Sequence, residues 1–255
     1  MCFSPEAIPP ELPEETPRQQ ATGERIVLSS SDGATFAAYT ASPEAPDDTG
    51  VVIFPDVRGL FGFYDRLAER FATAGHRAIA FDYFGRTAGT ELRDADFEFM
   101  PHVEQIESSQ VAADAASAAD RLRQQGATRV FTVGFCLGGA LSFGQAVDDR
   151  YAGVVGFYGV MRTDRFQGVT SPLDTVERSQ VPVLGLFGGA DPAVPADDVA
   201  AFEQGLDRAG VPYETHTYPG APHSFFDRTH GDHVAECTDG WRRMLAFMER
   251  EPATV

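Results

Sequence analysis

The feature that most constrains the fold is a regular alternation of strand-like runs with amphipathic helical patterns. Strands are predicted at residues 51–54, 78–81, 130–133, 154–158, 183–187 and 213–218, most of them continuously apolar, as in strands buried on both faces. Helical spacing is present at residues 63–75, 103–123, 137–147, 196–209 and 233–248. Strands that alternate with helices form βαβ units. We therefore expect an α/β fold with a mostly parallel sheet and helices on both faces.

The domain boundaries are predicted from proline content and from the first turn signal. Residues 1–24 contain five prolines and several glutamates, and we interpret them as an arm that lies on the surface or is disordered. A Ser-Asp-Gly turn then joins strand patterns at 25–29 and 35–39, as in a hairpin. No repeat or linker follows, so residues 25–255 are predicted to form one domain. Residues 85–110 are irregular and acidic, and they fit either a solvated connection or a lid over a pocket.

Charge and cysteine content exclude several functional classes. The chain has 38 acidic and 20 basic residues, a net charge of −18 that opposes binding to nucleic acid or to an anionic membrane. All the basic residues are arginine, which excludes a lysine nucleophile. Three cysteines, without a signal-peptide pattern or an apolar run long enough to span a bilayer, predict a cytoplasmic protein. The expected partner is a small-molecule substrate, bound by a monomer or a small homo-oligomer.

One segment carries a catalytic pattern. The strand at 130–133 leads into the sequence GFCLGG at residues 134–139, and a helix follows directly. This is the nucleophile elbow, Gly-x-nucleophile-x-Gly, with Cys136 at the nucleophile position. Glycine is needed on both sides because the turn is strained and side chains there would contact neighbouring backbone. The helix N-terminus below the sulfur favours a thiolate and supplies N–H groups for an oxyanion.

An elbow nucleophile is expected to be followed along the chain by an acid and then a histidine, each just past a strand. Asp191 follows the strand at 183–187, and His223 follows the strand at 213–218 within a cluster of turn residues. Taken alone, Asp191 could be a turn or helix-capping residue and His223 an ordinary loop histidine. Their order after Cys136 on this alternating scaffold favours a Cys-His-Asp triad.

Four segments resemble the dienelactone hydrolase family of α/β-hydrolases: GFCLGG at 134–139, GFYGV at 156–160, GGADPAVP at 188–195 and HSF at 223–225. The resemblance extends from about Arg25 to about Phe247. It implies a single domain with the α/β-hydrolase fold. The activity it implies is the opening of carboxymethylenebutenolides, which are lactones that bear a carboxylate. It implies no metal or organic cofactor.

The resemblance also assigns catalytic roles. Cys136 would be the nucleophile, His223 the base, and Asp191 the acid that orients the base. The oxyanion hole would use the backbone N–H groups of Leu137 and of Val57, which follows the first core strand. The reaction would then pass through an acyl-enzyme on the cysteine.

Two departures from the family pattern bear on the substrate. The family holds its resting thiol with a glutamate where this chain has Asp56, which is one methylene shorter and could instead pair with Arg58. Of the two arginines that bind the substrate carboxylate in the family, Arg86 matches, but the second position holds Asp227, with Arg228 one place later. Asp227 would repel a carboxylate, although Arg58 or Arg228 could compensate. The residues predicted to bind substrate are Arg86, Arg58, Arg228, Tyr158 and Phe225.

The predicted function is hydrolysis of a lactone or a small carboxylic ester, and two alternatives stay open. One is an esterase or thioesterase for neutral, apolar substrates, which Asp227 and the 20 phenylalanines favour. The other is a non-catalytic relative that binds a small acid or senses oxidants through Cys136. A zinc site at His230, His233 and Cys237 is not expected, because their spacing fits no zinc motif.

Overall fold

The computed structural model describes residues 7–93 and 96–250, and the strands in these ranges form one sheet. They are β1 Ala21–Ser29, β2 Thr35–Pro43, β3 Thr49–Phe54, β4 Arg77–Phe81, β5 Arg129–Phe135, β6 Gly153–Phe157, β7 Val183–Gly188 and β8 Tyr213–Tyr218. Their order across the sheet is β1-β2-β4-β3-β5-β6-β7-β8. β2 pairs antiparallel with β1 and β4, and all other neighbours are parallel. The mostly parallel sheet predicted from the sequence is confirmed.

Helices cover both faces of the sheet, as predicted. They are α1 Gly62–Thr73, α2 Gly85–Ala88, α3 Met100–Val103, α4 Ser108–Gln124, α5 Leu137–Gly144, α6 Pro172–Thr175, α7 Ala196–Ala209 and α8 Val234–Glu249. In β3, Val51 and Ile53 belong to the core formed with α1 and α8, whereas Val52 and Phe54 belong to the core formed with α4. A strand turns successive side chains to opposite faces, so the continuously apolar β3 contributes to two cores. Within the described ranges no helix has the length and apolarity needed to cross a bilayer.

The helix predicted at 103–123 is divided in the structure. α3 ends at Val103, and α4 begins only at Ser108, whose N–H donates to the carbonyl of Gly168 at 2.9 Å. Ile106, between the two helices, is buried at 4% exposure. The apolar spacing that predicted one helix thus includes Ile106, which lies in the non-helical segment between α3 and α4. The contact with the loop at Gly168 fixes where α4 begins. Of the irregular connection predicted at 85–110, residues 94–95 lie outside the described ranges.

The predicted N-terminal arm runs along the surface of α1 and α8, but part of it is buried. Leu12 is only 3% exposed, and the carbonyl of Pro10 accepts the indole N–H of Trp241 at 3.3 Å. Glu15 binds Arg242 at 2.5 Å. β1 begins at Ala21, inside the predicted arm, because pairing with β2 extends the strand through polar residues that carry no apolar signal. Residues 1–6 of the arm, including Cys2, and residues 251–255 of the predicted domain lie outside the described ranges.

The parallel strands bring four connections to one edge of the sheet. The loops that leave β3, β5, β7 and β8 all start at carboxyl ends of neighbouring or nearby parallel strands. In open α/β sheets this edge is where ligand sites form. Cys136 follows β5, Asp191 follows β7 and His223 follows β8, so the topology delivers the three side chains to the same edge.

Candidate active site

Cys136 occupies a strained turn between β5 and α5. Its backbone has φ 56° and ψ −116°, a conformation that non-glycine residues rarely adopt and that costs conformational energy. A Cβ on Gly138 would collide with the carbonyl oxygens of Pro55 and Phe54. A Cβ on Gly134 would collide with the Gly138 carbonyl. Glycine is therefore required on both sides of the cysteine, whose own side chain is partly exposed.

The N-terminus of α5 supplies backbone donors beside Cys136. Leu137 is the first residue of α5, so its N–H is one of the first-turn amides that find no acceptor within the helix. The helix macrodipole adds positive potential at the same end. Both effects favour a negative charge on the Cys136 sulfur, or on an oxygen held next to it.

The loop after β3, which contains Val57, is fixed by two tyrosines. Tyr64 Oη accepts the N–H of Asp56 at 2.8 Å. Tyr83 Oη donates to the carbonyl of Asp56 and lies 3.3 Å from the carbonyl oxygen of Pro55. Tyr64 is fully buried and Tyr83 is 5% exposed, so both anchors are rigid. The backbone on the N-terminal side of Val57 is thus held before any substrate binds, as an oxyanion hole requires.

The carboxylate of Asp56 is bound to Arg58. Arg58 Nη2 lies 2.6 Å from Asp56 Oδ2, and Nε lies 3.1 Å from Oδ1. The backbone N–H of Arg58 also donates to Oδ1, at 2.9 Å. Both side chains are nearly buried, at 8% exposure for Asp56 and 11% for Arg58. Asp56 therefore pairs with Arg58, which is one of the two roles that the sequence allowed for it.

His223 is hydrogen-bonded to Asp191 and lies near Cys136. His223 Nδ1 lies 2.7 Å from Asp191 Oδ2, and the Asp191 side chain has no exposed surface. The other oxygen, Oδ1, accepts the N–H of Ala193 at 2.8 Å, which fixes the carboxylate within its turn. Burial lowers the pKa of His223, but hydrogen bonds to Asp191 and Cys136 outweigh it and raise the pKa to about 10. The imidazole therefore holds its proton more tightly than an ordinary histidine does.

Tyr158 and Phe225 pack beside His223. The ring centroids of Tyr158 and His223 are 5.2 Å apart, and those of Tyr158 and Phe225 are 5.3 Å apart. Tyr158 is fully buried, and its Oη donates to Asp227 Oδ2 at 3.0 Å. Burial, together with the nearby charge of Asp56, raises the pKa of Asp227 to about 7. The two rings give the histidine an apolar neighbourhood, and the tyrosine hydroxyl is bound to a protein carboxyl.

Of the other two arginines predicted to bind substrate, one is held by protein carboxylates and the other is exposed. Arg86, in α2, binds Asp114 through Nη1 and lies 2.8 Å from Asp32 through Nη2. Arg228 is exposed, and its backbone N–H donates to Asp227. Of the predicted set, the structure therefore brings together Cys136, Asp191, His223, Tyr158 and Phe225, with Asp56 and Arg58 on the neighbouring loop.

Sequence reasoning missed the residues that hold the loop after β3. Tyr83 and Tyr64 bond its backbone, and Asp82 Oδ1 accepts the N–H of Leu60 at 3.4 Å. The available signal was the position of Asp82 and Tyr83, directly after β4, which is the strand that pairs with β3. A polar group at that place lies at the same sheet edge as the loop after β3.

A mostly parallel eight-stranded sheet with an elbow after β5, an acid after β7 and a histidine after β8 defines an α/β-hydrolase fold. The family model of the dienelactone hydrolase family matches residues 36–251. The chain belongs to the dienelactone hydrolase family, which makes it a hydrolase of lactone or ester bonds. The family resemblance read from the sequence motifs is confirmed.

Similar proteins align over most of the chain. A Salmonella typhimurium protein provisionally named carboxymethylenebutenolidase is 32% identical over 226 residues, covering 85% of this chain and 83% of the relative. The carboxymethylenebutenolidase of Pseudomonas putida is 29% identical over 219 residues, covering 83% of this chain and 89% of the relative. The crystal structure of a Klebsiella pneumoniae protein provisionally named dienelactone hydrolase has a TM-score of 0.79 and 27% identity. That match covers 91% of this chain and 100% of the Klebsiella chain.

Proposed function

We propose that the protein hydrolyses a lactone or a small carboxylic ester through a Cys136–His223–Asp191 triad and an acyl-enzyme. The observation that supports this proposal is the position of His223, which bonds Asp191 through one side of its ring and interacts with the Cys136 sulfur. The strained elbow under Cys136 and the free amides of α5 add to it. The carboxymethylenebutenolidase names of the relatives point to the same type of bond.

In this mechanism the Cys136 thiolate attacks the carbonyl carbon, and the carbonyl π-electrons move onto oxygen. The N–H groups of Leu137 and Val57 stabilise that oxyanion. When the intermediate collapses, the alkoxide leaves, takes the proton of protonated His223, and the acyl group stays on sulfur as a thioester. The alkoxide of a lactone stays tethered to the acyl group.

Deacylation reverses the roles of the same groups. Neutral His223 removes a proton from water, and the resulting hydroxide attacks the thioester carbonyl. Collapse of this second intermediate releases the carboxylic acid and restores the Cys136 thiolate with protonated His223. Asp191 orients the imidazole in both half-reactions because its carboxylate fixes Nδ1.

The experiment compares Cys136→Ala with Cys237→Ala. Cys237 is a matched control because it is 2% exposed, its thiol donates to the carbonyl of Phe225 at 3.4 Å, and burial raises its pKa to about 12. With 4-nitrophenyl acetate and with carboxymethylenebutenolide as substrates, we expect Cys136→Ala to lose turnover and Cys237→Ala to keep it. Intact-mass spectrometry of quenched wild-type protein should show an acyl group that Cys136→Ala lacks. Full activity of Cys136→Ala would contradict the proposal.

The same experiment separates the competing functions. A non-catalytic acid-binding or oxidant-sensing protein would show no turnover of either substrate, with peroxide oxidising Cys136. We also propose that residues 25–255 act as one domain. The proposed compartment is the cytoplasm, where a thiol nucleophile stays reduced.

A further inference from the structure

We propose that this active site accepts uncharged esters or lactones and discriminates against substrates whose acyl part carries a carboxylate. The inference rests on the proposed hydrolytic function and adds the substrate class to it. Protein carboxylates already bind Arg58, which follows β3, and Arg86, which follows β4. In addition, the carboxyl of Asp227 is buried one side chain away from the candidate histidine.

The guanidinium of the first arginine, Arg58, forms hydrogen bonds along one edge and packs against an aromatic ring on one face. Its Nε and Nη2 both contact the carboxylate of Asp56, at 3.1 Å and 2.6 Å. Its guanidinium carbon lies 4.0 Å from the ring centroid of Phe61, so an aromatic ring covers one face. A substrate carboxylate would have to separate a nearly buried ion pair to bind Arg58, and that leaves Asp56 without its partner.

The second arginine, Arg86, is bound by two carboxylates. Nη1 contacts Asp114, whose side chain is 1% exposed, and Nη2 lies 2.8 Å from Asp32. One of these partners comes from α4 and the other from the turn between β1 and β2. Its positive charge is thus already matched within the fold, so binding a substrate carboxylate would require breaking these contacts.

The third observation is the buried carboxyl of Asp227. It is 1% exposed and accepts a hydrogen bond from the hydroxyl of Tyr158 at 3.0 Å, and the charge of Asp56 contributes to its raised pKa. Tyr158 lies between Asp227 and His223, since its ring contacts the histidine and its hydroxyl contacts the carboxyl. The carboxyl therefore lies one side chain away from the proposed general base.

The neighbourhood of Cys136 therefore contains two buried or nearly buried carboxyls, Asp227 and Asp56, and the guanidinium of Arg58 is already bound to Asp56. A substrate carboxylate brought into this neighbourhood would lose water and meet like charge. An uncharged acyl group avoids both penalties.

The test uses substrate pairs that differ only in charge. One pair is the 4-nitrophenyl ester of glutarate, with a free terminal carboxylate, and the same ester with that carboxylate methylated. The other pair is carboxymethylenebutenolide and its methyl ester. In each pair we expect the wild-type kcat/KM to be about tenfold or more higher for the uncharged member. Equal or faster turnover of the carboxylate members overturns the inference.

The residue behind the preference is tested with Asp227→Asn, which keeps the shape and can still accept the Tyr158 hydroxyl. We expect the preference to narrow severalfold, mainly through a lower KM for the carboxylate members. The matched control is Asp239→Asn, because Asp239 also accepts a tyrosine hydroxyl, that of Tyr218 at 2.9 Å, but lies on α8. An unchanged preference in folded Asp227→Asn overturns the assignment to Asp227.

The proposed function and the proposed substrate class would fail in different ways. If hydrolysis of both members survives Cys136→Ala, the proposed function fails. If hydrolysis depends on Cys136 but shows no preference for the uncharged members, only the substrate class fails. Should Asp227→Asn not fold, as circular dichroism would show, the wild-type ratios of the two pairs decide the substrate class on their own.

Discussion

Asp82 and Arg93 form a buried ion pair, with Arg93 Nη2 2.8 Å from Asp82 Oδ2; the Asp82 side chain is 1% exposed and that of Arg93 is 6% exposed. Asp82 Oδ1 accepts the N–H of Leu60 at 3.4 Å, at the end of the loop that contains Val57. Arg93 also donates to the carbonyl of Gly89 at 2.8 Å. The pair therefore ties the connection after β4 to the loop of the proposed oxyanion hole. This part of the connection is fixed to the core.

Replacing Arg93 with Met should destabilise the protein strongly, because it leaves the buried Asp82 carboxylate without its cation. We expect a loss of about 3–5 kcal/mol in the free energy of unfolding, measured by urea denaturation, and a lower kcat. The control is Arg150→Met, which removes a pair with Asp148 whose side chains are 42% and 33% exposed. That change should cost less than about 1 kcal/mol. Equal losses for the two variants would contradict the anchoring role.

The raised pKa of His223 predicts the basic limb of the pH profile. Since the imidazole stays protonated up to about pH 10, kcat/KM should fall only above that pH, when the leaving alkoxide loses its proton donor. The same shift stabilises the fold: it contributes fully below pH about 6.5, the unfolded value, and is lost as the pH rises through about 10.

Asp191→Asn tests the origin of that pKa. Removing the carboxylate should lower kcat/KM by about 10²–10⁴-fold and move the basic limb to lower pH. The matched control is Asp47→Asn, because Asp47 Oδ2 also lies 2.7 Å from a histidine Nδ1, that of His76, outside the site. The control should keep the wild-type profile, and a limb that stays near pH 10 in Asp191→Asn would show that Asp191 does not set it.

The elbow glycine Gly138 should not tolerate a methyl group. Gly138→Ala pushes a Cβ into the carbonyl oxygens of Pro55 and Phe54, so we expect a loss of about 1–3 kcal/mol in stability together with reduced turnover. Gly144→Ala, in the same helix, has no atom within 4 Å of its new Cβ. It should be neutral or stabilising by up to about 1 kcal/mol. Chemical denaturation of both variants provides the comparison, and a well-tolerated Gly138→Ala would refute the close approach.

Tyr83→Phe removes the hydroxyl that donates to the Asp56 carbonyl. The buried carbonyl loses its donor, so we expect about 1–3 kcal/mol of destabilisation and a fall in kcat larger than any change in KM, because the loop carrying Val57 is less well held. Tyr213→Phe is the control, since its hydroxyl bonds Asp207 at the surface at 2.9 Å. Thermal unfolding and steady-state kinetics check both. A change in KM alone would argue against the positioning of the loop.

Local patterns were enough to predict the strands, the longer helices and most of the edge where the site lies, but not the short helices α2 and α6. α7 and β8 begin and end at the predicted residues because each is bounded by proline or glycine and has a clear period. The predicted start of β1 was wrong because pairing with β2 extends the strand. The prediction also missed the break before α4, which a contact with Gly168 sets. Such partners are distant in the sequence and leave no local signal.

The sequence by itself determined the fold class, the elbow at Cys136 and the order in which an acid and a histidine reach the same sheet edge. These follow from periodicity, from glycine spacing and from the rule that parallel strands end together. Only the tertiary structure decided which charges meet. Arg86 binds Asp32, 54 positions away in the sequence, and Tyr158 donates a hydrogen bond to Asp227, 69 positions away. The physical reason is that the choice of an ion-pair or hydrogen-bond partner depends on where strands and helices lie in space, and neighbouring residues in the chain do not specify that.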